Sequence, residues 1–366
     1  MKFKIDRESL LNPLIHVSGV VERRQTLPIL GNVLIVAKDN TIEITATDLE
    51  VEIKSVFSAT VEHDGSTTLP ARKFLDICKA LPAEAVISFS LSDSQAKLVS
   101  GRSRFTLATL PAEDFPTVDT VVGETHLSLS QENLKRLIER TSFSMAQQDV
   151  RYYLNGLLFE FSEDKIRTVA TDGHRLSTCI IDSELKTPGK QQVILPKKGV
   201  QEILRLLQNS SERVNIEVGS NHLRLVTNDI SFSSKLIDGR FPDYDRVIPK
   251  GGNKHLIINT EQLKQTLVRT SILSNEKYKG IRLNLEPGTL KVQSNNPDHE
   301  QAEEEFEINY QGDPLEIGFN VTYLLDVLSN VQTETIELIL SDGSSSCLIQ
   351  EPETEQFRYV VMPMRL

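Results

Sequence analysis

Thr47-Asp48-Leu49, Thr171-Asp172-Gly173 and, in degenerate form, Asn295-Asn296-Pro297 are one phrase written at intervals of 124 residues. Its surroundings recur with it. Leu69-Pro70-Ala71 returns as Leu195-Pro196-Lys197 and as Phe319-Asn320-Val321, and Phe115-Pro116, Phe241-Pro242 and Met362-Pro363 close the three units. A period this long exceeds that of solenoid repeats, whose units lean on their neighbours. It is the size of a domain with a core of its own. The expectation is three tandem domains, at 1–124, 125–252 and 253–366, with linkers at Val118–Glu124 and Pro249–Asn253, where turn formers and polar residues gather.

Each unit reads as helix, strands, helix, strands. Leu10, Leu11, Leu14 and Ile15 open unit one, although Pro13 weighs against a regular helix there. Ser130 is the expected N-cap before Leu134, Leu137 and Ile138, and Thr260 the expected N-cap before Leu263 and Leu267. The second helices follow the Leu-Pro phrase, with stripes Phe74-Leu75-Cys78, Val200-Ile203-Leu204-Leu207 and Leu324-Leu325-Leu328. Alternating runs such as Thr41–Thr45 and Asn215–Val218 predict half-buried strands. The fold class is therefore α+β: three tandem repeats of a domain with two helices on antiparallel sheet.

Composition mostly excludes. The apolar and charged fractions, 39% and 25%, suit a globular protein, and no apolar run reaches the length of a membrane span. Met1-Lys2-Phe3-Lys4-Ile5-Asp6 has no signal core, so a cytoplasmic location is expected. Cys78, Cys179 and Cys347 lie far apart in apolar surroundings, which predicts buried thiols rather than disulfides or a metal site. No cofactor is implied.

The net charge of −11 argues against nucleic acid until its distribution is read. Helices placed at 7–17, 71–80, 131–140, 197–208, 260–270 and 320–330 hold twelve Lys or Arg and seven Asp or Glu, a balance of +5 that leaves −16 for the rest. Helices that bury one face present the other. A basic face on an acidic protein is either an ordinary solvated surface or a track for a polyanion.

At this point the residues resemble a known family end to end. The matching stretches are Thr26–Asn32, Thr47–Glu50, Pro70–Phe74, Gln148–Gly156, Ala170–Leu176, Asp238–Tyr244 and the terminal Val360–Leu366. The family is the bacterial DNA polymerase III beta subunits, the sliding clamps. The resemblance implies a head-to-tail homodimer forming a closed ring, helices inside and sheets outside, with duplex DNA running through the hole. It implies sequence-independent DNA contact by Arg24, Arg72, Gln148, Tyr152, Tyr153, Lys197 and Lys198. Lys and Arg attract phosphate, while Gln and Tyr can bond the backbone or stack on unpaired bases.

A ring closed head to tail needs two different surfaces at each joint. Unit one carries Lys73, Arg102 and Arg104 near Phe105 and Leu107. Unit three carries Asp298, Glu300, Glu303, Glu304 and Glu305, together with the apolar pair Ile272-Leu273. These suit ion pairs around an apolar centre, and the resemblance places them at the joint.

The resemblance also implies a pocket for short peptides of clamp-loader subunits, DNA polymerases and other replication and repair proteins. The matching positions are Arg151, Leu154, Thr171, Gly173, His174, Arg175, Leu176, Pro242, Arg246, Val247, Ser346, Val360, Val361, Met362, Pro363, Met364, Arg365 and Leu366. Leu, Val, Pro and Met make a compliant apolar slot, and Arg and His can bond a motif's polar part. Asp245 and Ser344 depart from the residues expected nearby.

Two other readings compete. Thr171-Asp172-Gly173-His174-Arg175 has the residue types of a catalytic site, but no nucleophile elbow, His-Glu-x-x-His or phosphate loop accompanies it, and neither other copy of the phrase has a His at the position of His174. No enzyme is expected. The second rival is a repeat-built protein-interaction scaffold that never encircles DNA; basic helix faces speak against it.

Overall fold

The computed structural model describes residues 1–22, 27–117, 125–183 and 190–365. The six helices form where apolar spacing placed them: α1 Arg7–Ser18, α2 Ala71–Ala80, α3 Gln131–Glu139, α4 Lys197–Leu206, α5 Thr260–Ser271 and α6 Val321–Asn330. Pro13 sits inside a continuous α1, whose Leu10, Leu14 and Val17 are fully buried against α2 and the sheet; this packing outweighs the lost backbone bond. Thr260 is not the cap of α5. Asn259 caps it, its Oδ1 accepting from Gln262 N at 2.9 Å, and Thr260 begins the helix. Asn320, counted as the first residue of α6, likewise caps it by accepting from Thr322 N at 2.9 Å.

Among the described residues the strands form four antiparallel sheets, two of which do not stop at the repeat boundaries. One eight-stranded sheet runs, in spatial order, Thr125–Ser130, Arg213–Val218, His222–Val226, Ile230–Lys235, Val51–Ser58, Thr41–Thr47, Asn32–Lys38, Gly65–Pro70. It passes from the second repeat to the first where Phe232 faces Ile53. The other runs Gln191–Pro196, Gly156–Phe161, Lys165–Thr171, Arg175–Asp182, Phe357–Val361, Cys347–Gln350, Thr335–Leu340, Lys254–Asn259, and passes from the second repeat to the third where Leu176 faces Val360. A five-stranded sheet ends on Ser103–Ala108, and a four-stranded sheet ends on Gln301–Glu307.

Compact units therefore differ from the repeats. One unit comprises Met1–Glu132 with Lys198–Leu236, and the other Asn133–Lys197 with Ile237–Leu366, so repeat two is divided between them. In the first unit Phe3 stacks on Phe89 at 4.6 Å, and Phe74 of α2 is fully buried. In the second, Leu154, Leu158, Val169, Leu176, Phe241 and Val360 form one cluster. The three cysteines are buried free thiols, as expected, and burial pushes each up to about 12. Residues 249–253 carry no helix or strand, and the expected linker 118–124 lies outside the described residues. Among the described residues, no helix is long and apolar enough to cross a membrane.

Candidate functional site

The recurrent phrase is a turn, and its chemistry is backbone capping. In the second repeat Thr171 Oγ1 donates to Arg175 O at 2.6 Å and accepts from Gly173 N at 3.1 Å. Asp172 Oδ1 accepts from His174 N and Arg175 N at 2.9 and 3.0 Å. In the first repeat Thr47 bonds Val51 O and Leu49 N, and Asp48 bonds Glu50 N and Val51 N, over 2.7–3.0 Å. Such side chains replace the bonds a tight turn leaves unmade. The third position adopts positive φ in both, +89° at Gly173 and +76° at Leu49. Asn295-Asn296-Pro297 makes a longer version, with Asn296 Oδ1 accepting from Asp298 N and Glu300 N at 3.1 Å. The Asp-His-Arg grouping that resembled a catalytic set is thus a turn: the carboxylate of Asp172 is occupied by backbone N–H groups and by Arg175 Nε at 3.1 Å.

Beside this turn the second unit carries an apolar patch, the candidate recess. Leu154, Leu176 and Val360 belong to its buried cluster. Arg151 is held over Gly173 by two bonds to Asp149, Nε–Oδ1 at 3.0 Å and Nη2–Oδ2 at 2.8 Å, and by one to Asp172 O at 3.3 Å; a side chain at 173 would put its Cβ 3.0 Å from the guanidinium. These bonds pull the Asp149 carboxyl down to about 2. Asn155 completes the brace by exchanging bonds with the Asp149 backbone at 2.9 Å. The His174 ring stacks on Tyr323 of α6, with centroids 6.4 Å apart, and the Arg175 guanidinium lies 4.7 Å from the same ring and bonds Asp326 and Phe143 O. On the rim Pro242, Val247 and Met362 are exposed, Ser346 is half-buried, and Arg246 pairs with Asp243 at 2.7 Å. Exposed apolar side chains beside a buried apolar floor are what a docking slot requires.

The chain terminus divides. Met362 N donates to His174 O at 2.9 Å, which keeps that residue at the recess. Met364 N donates to Gly318 O at 2.9 Å, and Met364 and Arg365 line a separate cleft of about 360 Å³ with Tyr278, Asn296 and Pro297. Val361 is buried opposite Arg175, Pro363 is half-buried, and Leu366 lies outside the described residues. Asp245 faces Arg167 at 3.6 Å, and Ser344 bonds Asp342 in its own turn, so both departures have local partners.

Family models of the DNA polymerase III beta subunit match the whole length: the N-terminal domain at residues 1–119, the central domain at 128–243 and the C-terminal domain at 245–365. The chain belongs to the DNA polymerase III beta subunit family. The beta sliding clamp of Pseudomonas aeruginosa is 52% identical, with all of both chains covered. The crystal structure of the DNA polymerase III subunit beta from that organism superposes with a TM-score of 0.98 at 51% identity, again over both full chains. A Pseudomonas aeruginosa sliding clamp bound to griselimycin is equally similar in structure, with 52% identity, a TM-score of 0.98 and full coverage of both chains. The fold is the three-domain clamp fold, and the function is that of a DNA sliding clamp.

Of the clamp's expected DNA contacts, Arg24 lies outside the described residues. Arg72 is exposed on α2, Gln148 is exposed at φ +54°, and Lys197 is half-buried at the start of α4. Tyr152 is exposed and meets the half-buried Tyr153 edge-on at 5.9 Å. Lys198 is committed internally. Burial disfavours its charge, but bonds to Asp48 and Glu22 outweigh that and raise its pKa. Several other helix cations counted toward a basic face are likewise engaged: Arg140 with Glu351, Arg205 with the end of α1, and Arg269 with Glu304.

At the clamp's expected joint, Arg102 and Arg104 are exposed, Phe105 is half-buried and Leu107 is buried, at and beside the edge strand Ser103–Ala108; Lys73 is exposed on α2. Ile272 is 75% exposed and Leu273 half-buried just past α5. Asp298 and Glu300 are exposed in the turn before the edge strand Gln301–Glu307. Within that strand Glu303 bonds Lys291 at 3.1 Å, and Glu304 bonds Arg269 Nε and Thr266 at 2.8 Å. Sequence reasoning missed Tyr323, Phe143, Asp326 and the Asp149–Asn155 brace. Only the Asp-x-Arg spacing of 149 and 151 offered a signal; the others come from elsewhere in the chain.

Proposed function

We propose that two copies of this clamp, with domains at 1–124, 125–252 and 253–366, join head to tail into a ring around duplex DNA. The same reading makes the recess beside Thr171–Arg175 a seat for short peptides of clamp-loader subunits, DNA polymerases and other replication and repair proteins. The protein then tethers and performs no catalysis, requires no cofactor and works in the cytoplasm. One observation carries the ring: two sheets end on open strands of opposite character, Ser103–Ala108 with Arg104 and Gln301–Glu307 with Glu303, Glu305 and Glu307. Open edges invite pairing, and alternating carboxylates select a cationic partner strand. Half-exposed Ile272-Leu273 supplies the apolar contact such a joint needs.

The decisive experiment compares clamp loaded on nicked circular DNA with the same DNA linearised. A ring stays on the circle through salt that strips phosphate binders, and slides off free ends. Equal dissociation from both means surface binding and ends the ring reading. Loss of circle retention in an Ile272→Ala, Leu273→Ala monomer that still folds assigns the joint.

A further inference from the structure

The floor of the recess continues beyond the residues assigned to it. Leu176 faces Val360, Val360 faces Leu348, and Leu348 faces Ile339, one residue from each of four adjacent strands. Directly opposed residues of antiparallel strands share a face, so the four form a single apolar row spanning about 14 Å, three strand spacings. All four belong to or pack on the cluster that holds Leu154. Over the far half of the row lies a cleft of about 510 Å³. Ile248 and Lys250 line it together with Leu348, Ile339, Gln350 and Arg358, the last two facing each other on neighbouring strands.

We propose that this cleft is a second compartment of the peptide site, and that it seats one apolar side chain from residues flanking the short motif in the same partner. The inference rests on the peptide-seat reading of the recess. Its occupant follows from three observations. The row is continuous with the recess, so a chain lying in one reaches the other within about four extended residues. The floor is aliphatic, which selects an apolar side chain. The rim carries both signs, Lys250 and Arg358 against Asp245 and Glu355, so net charge does not choose the ligand, while Gln350 and Arg358 can bond an extended backbone. A cleft of this size, bordered by charges, suits one or two side chains rather than a second folded surface.

The test measures anisotropy of fluorescein-labelled peptides. The short probe carries a Gln followed by a Leu-Phe end. Longer probes add four residues at either end, bearing one Leu or, in its place, Ser. For wild-type clamp, a Leu-bearing extension at one end is expected to tighten binding about five- to tenfold, the yield of partly burying one aliphatic side chain, and its Ser counterpart to give no gain. Ile339→Ser and Ile248→Ser, on floor and wall, should each abolish the gain while leaving the short probe within about twofold of wild type, which also reports that the protein is folded. No gain from either extension, or a gain that survives both substitutions, overturns the second compartment. A short probe that fails to bind wild-type protein overturns the recess reading itself, and this inference with it.

Discussion

Repeat two is joined to repeat one and to repeat three by the same kind of sheet pairing, yet the two junctions are finished differently. The first is sealed by polar groups. Lys198 bonds Asp48 of the Thr47–Val51 turn, and Arg205 bonds the Ile15 and His16 carbonyls at the end of α1, its guanidinium lying close over Gly19. A cation at a helix C-terminus also meets the favourable end of its dipole. The second junction buries its ion pair, Arg140 with Glu351 at 2.8 Å, beneath the Phe357 ring, and surrounds the rest with apolar and aromatic groups. Charge finishes a seam by neutralising itself; apolar surface left half-covered is what the proposed peptide seat would use.

The largest break in this contrast comes from Arg140→Ala, which strands Glu351 in the interior and is expected to cost about 3–5 kcal/mol. Urea unfolding followed by tryptophan-independent circular dichroism measures it; a loss within the range of exposed pairs would make the second junction as superficial as the first. Gly173→Leu gives the second turn the residue of the first. The new side chain displaces Arg151 and is expected to weaken peptide binding about tenfold, or 1.4 kcal/mol, with the fold retained. Unchanged anisotropy would detach the turn from the recess. The reciprocal change, Leu49→Gly, relieves a left-handed leucine at the expense of chain entropy and should stabilise by about 0.5 kcal/mol; destabilisation would mean that the leucine's packing outweighs its strain.

The smallest effect is one of pH. Burial, and then the charge of Arg205, lower the pKa of His16 from 6.5. Above that value both folded and unfolded chains carry neutral His16. As pH falls below it, the unfolded chain takes the proton first, so stability at the first junction declines. His16→Asn should flatten the acid side of the stability curve. A curve of unchanged slope would remove His16 from the account.

The sequence made much of this legible because the turn phrase and the helical stripes are local. Thr and Asp at fixed offsets cap a turn wherever they occur, and Leu10, Leu14 and Val17 mark a buried helix face without knowledge of its partner. Charge misled where partners were remote. Lys198 counted toward a basic face, yet its ammonium is neutralised by Asp48, 150 residues earlier. Tyr323 went unnoticed because only folding brings α6 against His174. Met364, read as a wall of the recess, lines a cleft with Tyr278 and Pro297, residues no local pattern linked to it.

The division of repeat two has a consequence for synthesis. The strand Arg175–Asp182 is complete long before its neighbour Phe357–Val361 exists. At ribosomal rates of about 5–20 residues per second, that neighbour emerges roughly 10–40 s later. For that interval the nascent chain carries an uncovered strand edge and an apolar row with no lid. The middle repeat, which looks on paper like a module able to fold once translated, must instead wait for a strand of the third repeat.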